Sequence, residues 1–284
     1  GHAYSDSGFP GPGMDFNGLL MGGYFKYKYT TSNGEATVTL YLDWFDQVVT
    51  IPDSLGGCVV TAIGDNAFSG MRLTSITIPD TVVTIGKSAF SRCTGLATVT
   101  IPQGVVSIGD SAFYGCTFLT GIIIPDSVDS IGKEVFSLCT SLTGINLPGS
   151  IESIGDFAFS SCMALKDITL GSGIKNIGYG VFQNCMSLTG ITYPDSVVKI
   201  DSFSFLGCTA LTEINVDVAN PGYMSVDGIV FDKTGSTLVQ YPQGRTNTSY
   251  AVPSGVTILG DGAFAECSYL TDITIPGGVV TIGN

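Results

Sequence analysis

Apolar residues recur along this chain in a unit of about 23 residues. One full unit runs from Leu96 to Cys116, and most of its apolar residues are β-branched. The phenylalanine of each unit falls at Phe68, Phe90, Phe113, Phe136, Phe159, Phe182, Phe205 and Phe264. Successive steps are 22 residues once, 23 residues five times and finally 59 residues. A period this short and regular predicts a solenoid in which each unit forms one coil.

The spacing inside the unit predicts three short elements. Alternating apolar residues over 96–101, stopped by Pro102, predict a strand, and 105–108 predicts a shorter second strand. Phe113 and Cys116 lie three residues apart, which places them on one face of a predicted helical turn. All apolar positions then face one interior that only neighbouring coils can close.

The repeated unit, I-P-x-x-V-x-x-I-G-x-x-A-F-x-x-C, resembles the bacterial BspA-like type of leucine-rich repeat over about residues 51–283. The resemblance implies an α/β solenoid, a right-handed leucine-rich repeat superhelix. It implies a parallel concave sheet, short convex strands and single helical turns. It also implies a secreted or cell-surface protein, found in many host-associated bacteria, that binds other proteins. Adhesion to host extracellular matrix proteins is among the implied roles.

Three parts of the chain differ in composition. Residues 1–23 are rich in glycine, and we expect a flexible segment. Residues 24–50 alternate around Asn33-Gly34 and predict a β-hairpin that caps the first coil. The leucine-rich repeat domain then spans 51–284. Residues 217–252 break the period, and strands at 228–231 and 238–241 predict a β-hairpin insertion.

The chain starts Gly-His rather than Met, so we expect that a leader was removed.

Charge argues against two classes of partner. The formal net charge is −13, and no stripe of basic residues is present. Nucleic acid and anionic membrane surfaces are therefore excluded as expected partners. No apolar run approaches the roughly 20 residues of a membrane-spanning helix, so we expect no membrane insertion by this chain.

Of the eight cysteines, those that form one column of the repeat are predicted to be buried free thiols. Seven of them stand three residues after the unit's phenylalanine, one per unit, at Cys93, Cys116, Cys139, Cys162, Cys185, Cys208 and Cys267. Stacked equivalents would lie about 5 Å apart, beyond the Cβ separation of roughly 3.5–4.5 Å that a disulfide requires. Cys58 lies outside this column and is the best candidate for an exposed thiol.

No catalytic, cofactor or metal site is predicted. His2 is the single histidine, and no phosphate-binding glycine motif follows a strand. Carboxylates at Asp167, Glu213 and Asp272 fall in nonadjacent coils. Acids near the unit's glycine come one per coil, too sparse for calcium, at Asp65, Asp110, Asp156, Asp201 and Asp261. Asp227 and Asp232 flank a turn, for which a hairpin is sufficient explanation.

One column of strand residues is the predicted interaction site. Its polar members are Thr77, Thr100, Asn146, Thr169, Thr192, Asn215 and Thr274. Ile123 occupies the same position in one coil and is apolar. We expect this column on the concave face, binding a protein ligand, with the 228–241 hairpin as a second candidate. A carbohydrate-binding role is the alternative, but the tyrosines at 114, 179, 193 and 223 are scattered. A passive scaffold that displays another domain, and more remotely a polysaccharide-cleaving β-helix, also stay open.

Overall fold

The computed structural model describes residues 20–21, 24–201 and 203–284. Most of the segment predicted to be flexible, 1–23, therefore lies outside the described residues, and the division into segment, cap and repeat domain stays a prediction. Residues from Val48 onward stack as coils, and most coils contribute one strand to each of two rows.

The first row consists of short strands that start each coil. These strands are β5 (Val48–Thr50), β8 (Ser75–Thr77), β10 (Thr98–Thr100), β12 (Gly121–Ile123), β14 (Gly144–Asn146), β16 (Asp167–Thr169), β18 (Gly190–Tyr193), β20 (Glu213–Val216), β24 (Ser249–Ala251) and β26 (Asp272–Thr274). Their pairing is parallel and keeps equivalent repeat positions opposite one another, such as Thr100 opposite Ile123. The residue that precedes each exposed column position points inward, because strand side chains alternate between faces.

The second row is a longer parallel ladder. It contains β7 (Cys58–Ile63), β9 (Thr84–Ile85), β11 (Ser107–Ile108), β13 (Ser130–Ile131), β15 (Ser153–Ile154), β17 (Asn176–Ile177) and β19 (Lys199–Ile200), and resumes with β25 (Ile258–Leu259) and β27 (Thr281–Ile282). The N-terminal strands are β1 (Leu20–Met21), β2 (Tyr24–Phe25), β3 (Tyr27–Ser32), β4 (Glu35–Tyr41) and β6 (Ser54–Leu55). β3 and β4 form an antiparallel hairpin around Asn33-Gly34, and β4 continues the ladder by pairing with β7.

The predicted helical turns are wrong. No described residue is helical, so none forms a helix long and apolar enough to cross a membrane. Ser111 and Gly115 adopt left-handed φ angles of 56° and 69°, which interrupt any helix. Backbone amides there alternate between partners. Ala112 donates to Gly109 within its coil, whereas Phe113 donates to Val135 of the next coil. The segment is a stack of turns, and the phenylalanine–cysteine spacing fits these turns as well as a helix.

Phenylalanines and cysteines fill the interior of the coils. Phe68 through Phe205 form one continuous stack, with ring centroids 5.3–5.9 Å apart and interplanar angles of 8–18°. Tyr41 of the hairpin extends this stack at 5.4 Å from Phe68. All eight cysteines are free, and six are fully buried. Each buried thiol donates to the carbonyl of a phenylalanine, as Cys116 does to Phe90. The thiols are therefore hydrogen-bonded as well as packed.

The insertion divides the interior into two clusters. The predicted strands at 228–231 and 238–241 are observed as β22 (Ile229–Asp232) and β23 (Thr237–Gln240), which pair antiparallel, and β21 (Tyr223–Val226) pairs with β22. β23 also pairs parallel with β25, so the insertion starts a new ladder. The first cluster ends with Ile214 and Val230, and the second holds Phe231 and Tyr241.

Candidate functional site

The first strand row presents the predicted column on one surface. Parallel register places Thr50 opposite Thr77, Asn146 opposite Thr169, and Thr192 opposite Asn215. All the polar members of the column are exposed except Asn215, which is half-buried. Ile123 is 72% exposed, which makes it a prominent apolar member. The inward neighbours of the column are buried isoleucines and a valine over much of its length, so its backbone rests on the core.

The polar side chains of this column make no hydrogen bond within the described residues. A second column, which lies three residues earlier in each coil and holds threonine in many of them, behaves differently. Thr120 donates to the carbonyl of Ala97 at 3.3 Å, Thr143 to that of Thr120 at 3.3 Å, and Thr212 to that of Thr189 at 3.2 Å. One column therefore uses its hydroxyls to join coils, and the other leaves its polar groups available to a ligand. Sequence spacing alone did not separate these two columns.

The exposed column, named here the strand face, contains two shallow grooves. The first has a volume of about 830 Å³ and is lined by Thr100, Ile123 and Asn146 among others. The second has a volume of about 540 Å³ and includes Thr169 and Thr192. The grooves combine neutral hydrogen-bonding groups with carboxylates, since Asp167 lines both, and the first also holds the apolar Ile123. Such a mixture of polar and apolar groups is common at protein-binding surfaces.

Carboxylates lie along the strand face, and those of Asp167 and Glu213 line the second groove. Asp167 lies opposite Gly144, Glu213 opposite Gly190, and Asp272 opposite Ser249. Each acid is therefore paired in register with a neutral residue. The arrangement gives an acidic edge to the strand face.

The acids that follow the unit's glycine join adjacent coils. Asp65 Oδ1 accepts the backbone N–H of Lys87 at 2.7 Å, and Asp156 Oδ1 accepts that of Tyr179 at 3.1 Å. Asp156 also pairs with Lys133, with 2.8 Å between Nζ and Oδ2, and this hydrogen bond lowers the pKa of Asp156. Within 20–21, 24–201 and 203–284, no group of three or more His, Cys, Asp or Glu residues is arranged to hold a metal.

Asp232 closes the turn of the insertion hairpin. Its carboxylate accepts the hydroxyls of Thr234 at 2.5 Å and Ser236 at 3.0 Å, and the backbone N–H of Thr237 at 2.7 Å. Partial burial alone would raise its pKa, but these hydrogen bonds lower the pKa of Asp232 overall. Asp227 lies at the preceding turn with a left-handed φ of 50°, and its carbonyl accepts from Arg245. Both acids therefore have structural roles.

The buried thiols are poor nucleophiles. Burial raises the pKa of Cys93, Cys139 and Cys208 to about 12, so these groups stay protonated at neutral pH. Cysteine reactivity depends on the thiolate. Cys267 is half-buried, and burial raises its pKa to about 11. Cys58 is also half-buried rather than fully exposed.

An aromatic row on the turn surface was missed by sequence reasoning. Phe157 lies 5.3 Å from Tyr179, and Tyr179 lies 5.9 Å from Phe203, all in edge-on contacts between ring centroids. Tyr179 is 42% exposed, and the two phenylalanines are half-buried. The signal was present as aromatic residues one or two positions after the unit's glycine or its replacement in three successive units. Among the other tyrosines considered for carbohydrate binding, Tyr114 and Tyr223 make no ring contact with this row, and Tyr193 is buried.

Both the repeat and its stacked-coil architecture match known proteins. A family model described as BspA type leucine rich repeat region, in six copies, matches residues 61–185, 140–248 and 241–284. A leucine rich cell surface protein of Faecalibacterium prausnitzii shares 33% identity and a TM-score of 0.82, over 94% of this chain and 72% of that one.

More distant structures share the same architecture. The pneumococcal vaccine antigen PcpA shows 26% identity and a TM-score of 0.61, over 91% of this chain and 64% of the antigen. A leucine-rich repeat protein of Eubacterium ventriosum shows 22% identity and a TM-score of 0.51, over 91% of this chain and 60% of that one, which supports the fold alone. No curated protein matches the chain significantly.

Proposed function

Since the chain belongs to the BspA-type leucine-rich repeat family, we propose that it is a non-enzymatic cell-surface or secreted protein that binds protein ligands through its strand face. The Faecalibacterium protein, described as a cell surface protein, supports the proposed location. Solenoids expose extended surfaces, and these generally serve as binding faces. Adhesion to a host extracellular matrix protein is the finer part of the proposal, and it rests on family resemblance.

This proposal rests on one observation, which is that the polar side chains of the column are free to pair with a ligand. Thr100, Thr169 and Thr192 are exposed, and their hydroxyls have no hydrogen-bond partner within the described residues. A ligand that pairs with them displaces only water, so no internal bond has to break. Neutral groups also cost much less to desolvate than charges do. The exposed Ile123 supplies an apolar contact in the first groove.

The test is a solid-phase binding screen of the purified chain. The panel contains fibronectin, fibrinogen and other matrix proteins together with a glycan array. A Thr100→Lys/Thr169→Lys/Thr192→Lys variant is measured beside the wild type. Saturable binding to a protein that the variant loses supports the proposal. Protein binding that the variant retains, or no binding to any panel member, contradicts it.

Carbohydrate binding is a second candidate, favoured by the aromatic row. Phe157, Tyr179 and Phe203 offer apolar ring surface in three successive coils. Charged and polar side chains of Asp156 and Lys133 lie close to this row. A Tyr179→Ala variant separates the two candidates. Glycan binding lost in this variant but kept in the triple-lysine variant would favour the aromatic row over the strand face.

A further inference from the structure

A small cavity lies where the repeat pattern is broken by the insertion. Its volume is about 140 Å³. One side is formed by Tyr193, Ile200 and Phe205 of the regular coils, and the other by Val230 and Val239 of the insertion. The second-row ladder stops at Ile200 on one side, and β23 pairs with β22 and β25 on the other. The cavity is therefore a seam in the second-row ladder, and its apolar lining belongs to the first hydrophobic cluster.

Tyr193 departs from the aliphatic residue that the repeat has at its position. It occupies the inward position just before the unit's proline, where other coils have Ile101, Ile124 or Leu147. It is 1% exposed, and its hydroxyl is one of the buried side-chain atoms with no hydrogen-bond partner in the described residues. An unpaired buried hydroxyl is destabilising, and aliphatic residues fill this position elsewhere without that cost. The Tyr193 side chain lines the cavity, so a molecule bound there is placed to supply the missing partner.

Most of the other polar groups around the cavity already have partners. Gln240 Nε2 donates to the carbonyl of Tyr241 at 3.3 Å, whereas the hydroxyl of Thr237 makes no hydrogen bond in the described residues. Asp201 pairs with Lys199 at 3.1 Å, and Asp261 Oδ1 accepts the backbone N–H of Asn284 at 3.0 Å. The remaining contact surface is mainly aliphatic and aromatic. Burial raises the pKa of Tyr193, so its hydroxyl stays protonated and is able to donate or accept. The lining thus fits a neutral molecule with an apolar body and one polar atom.

We propose that this seam cavity, lined by Tyr193, Ile200, Phe205, Val230 and Val239, binds a small neutral molecule of about the size of a substituted benzene. The polar atom of the ligand, a hydroxyl or carbonyl oxygen, hydrogen-bonds to the hydroxyl of Tyr193. The size follows from the volume, since an apolar cavity of about 150 Å³ takes up benzene. This site is separate from the strand face, and the binding of protein ligands there does not depend on it.

The experiment compares two probes of nearly equal shape, phenol and toluene. Dissociation constants are measured by NMR titration for the wild type, Tyr193→Phe and Tyr179→Phe. Because Tyr193→Phe removes only the hydroxyl, we expect the preference for phenol over toluene to fall at least about fivefold, the worth of one hydrogen bond. Tyr179→Phe, which removes a hydroxyl remote from the cavity lining, is expected to leave this preference unchanged. Thermal unfolding checks that each variant is folded.

A cavity-filling variant, Val239→Phe, provides the second measurement. It is expected to abolish the binding of both probes. Tyr193→Phe is expected to fold well because neighbouring coils carry aliphatic residues at this position, so the test does not depend on the filled variant. The proposal is overturned if neither probe binds saturably below about 10 mM, or if Tyr193→Phe leaves the probe preference unchanged. A crystal structure with only water at Tyr193 under saturating phenol would overturn it equally.

Discussion

The carboxylate of Asp110 accepts a hydrogen bond from the backbone N–H of Lys133 in the next coil, with 2.8 Å between Oδ1 and N. The same oxygen lies 2.8 Å from the position that a Cβ on Gly132 would occupy. The aspartate of one coil therefore occupies the space that a side chain at the glycine of the next coil would need. The same contact recurs at Gly86 and Gly178, whereas Gly109 and Gly155 meet backbone atoms of the preceding coil, so close approach between coils favours glycine at the corner.

Removal of this inter-coil contact should weaken the stack. Asp110→Ala leaves the Lys133 amide without its acceptor, and we expect the free energy of unfolding to fall by about 1 kcal/mol. Asp195→Ala is the matched control, because the Asp195 side chain is exposed and makes no hydrogen bond within the described residues. Urea unfolding followed by circular dichroism measures both. Equal stability of the two variants would contradict the assigned role.

Close backbone approach should make the corner glycine sensitive to substitution. A Cβ on Gly109 would lie 2.6 Å from the backbone nitrogen of Lys87, whereas one on Gly121 would meet nothing within 4 Å. We expect Gly109→Ala to lose at least about 2 kcal/mol of stability through overpacking. Gly121→Ala should be neutral or slightly stabilising through reduced chain entropy. Thermal unfolding of the two variants measures this difference. Similar losses of stability in both variants would refute the steric argument.

The cysteine column should resist alkylation in the folded protein. Cys116 and Cys162 are fully buried, and burial raises the pKa of each thiol well above its usual value. With iodoacetamide at pH 8, we expect Cys58 to be labelled first and the buried thiols only after unfolding. Peptide mass spectrometry with and without urea measures the order. Rapid native labelling of Cys116 would show that the column is accessible.

Stability should depend on pH through Asp46. Hydrogen bonds from Lys26 at 2.5 Å and Tyr41 at 2.6 Å lower the pKa of this carboxyl. A lowered folded pKa contributes stability above the unfolded value of about 3.9, and this contribution is lost as pH falls through the folded value. Asp46→Asn should therefore lower the free energy of unfolding by about 1 kcal/mol at pH 7, discounted for partial exposure. The loss should become progressively smaller as the pH falls below about 3.9.

The control for this prediction is Asp53→Asn, since the Asp53 side chain is exposed and makes no hydrogen bond within the described residues. Urea titrations across pH 7 to 3 measure both variants. A destabilisation by Asp46→Asn that stays constant with pH would exclude the carboxylate as its source.

Inward positions of the coil could be predicted from the sequence, because burial repeats with the unit. The residues at Phe113 and Cys116 are buried as the pattern indicated. The helical turn between the strands could not be predicted correctly. Left-handed φ angles there fall on residues such as Ser111 and Glu134, which carry no glycine signal. Inter-coil hydrogen bonds compensate this backbone cost, and they become apparent only when the coils are stacked.

The candidate site was only partly accessible to sequence reasoning. The exposed side of the strand could be predicted for Thr100 and Thr169 from alternation. The pattern did not indicate that Thr143 differs from them by donating to a neighbouring carbonyl. The row of Phe157 and Phe203 with Tyr179 was missed because side-chain direction at a left-handed turn is not encoded in periodicity.

The most direct measurement compares two variants with the same added charge. Thr100→Lys/Thr169→Lys/Thr192→Lys alters the strand face, and Thr84→Lys/Ser107→Lys/Asn176→Lys alters exposed positions of the second row. Binding of both to immobilised fibronectin and fibrinogen is measured by surface plasmon resonance beside the wild type. The account predicts that the strand-face variant loses wild-type binding and the second-row variant keeps it. Equal effects of the two variants, or no binding by the wild type, would contradict the account.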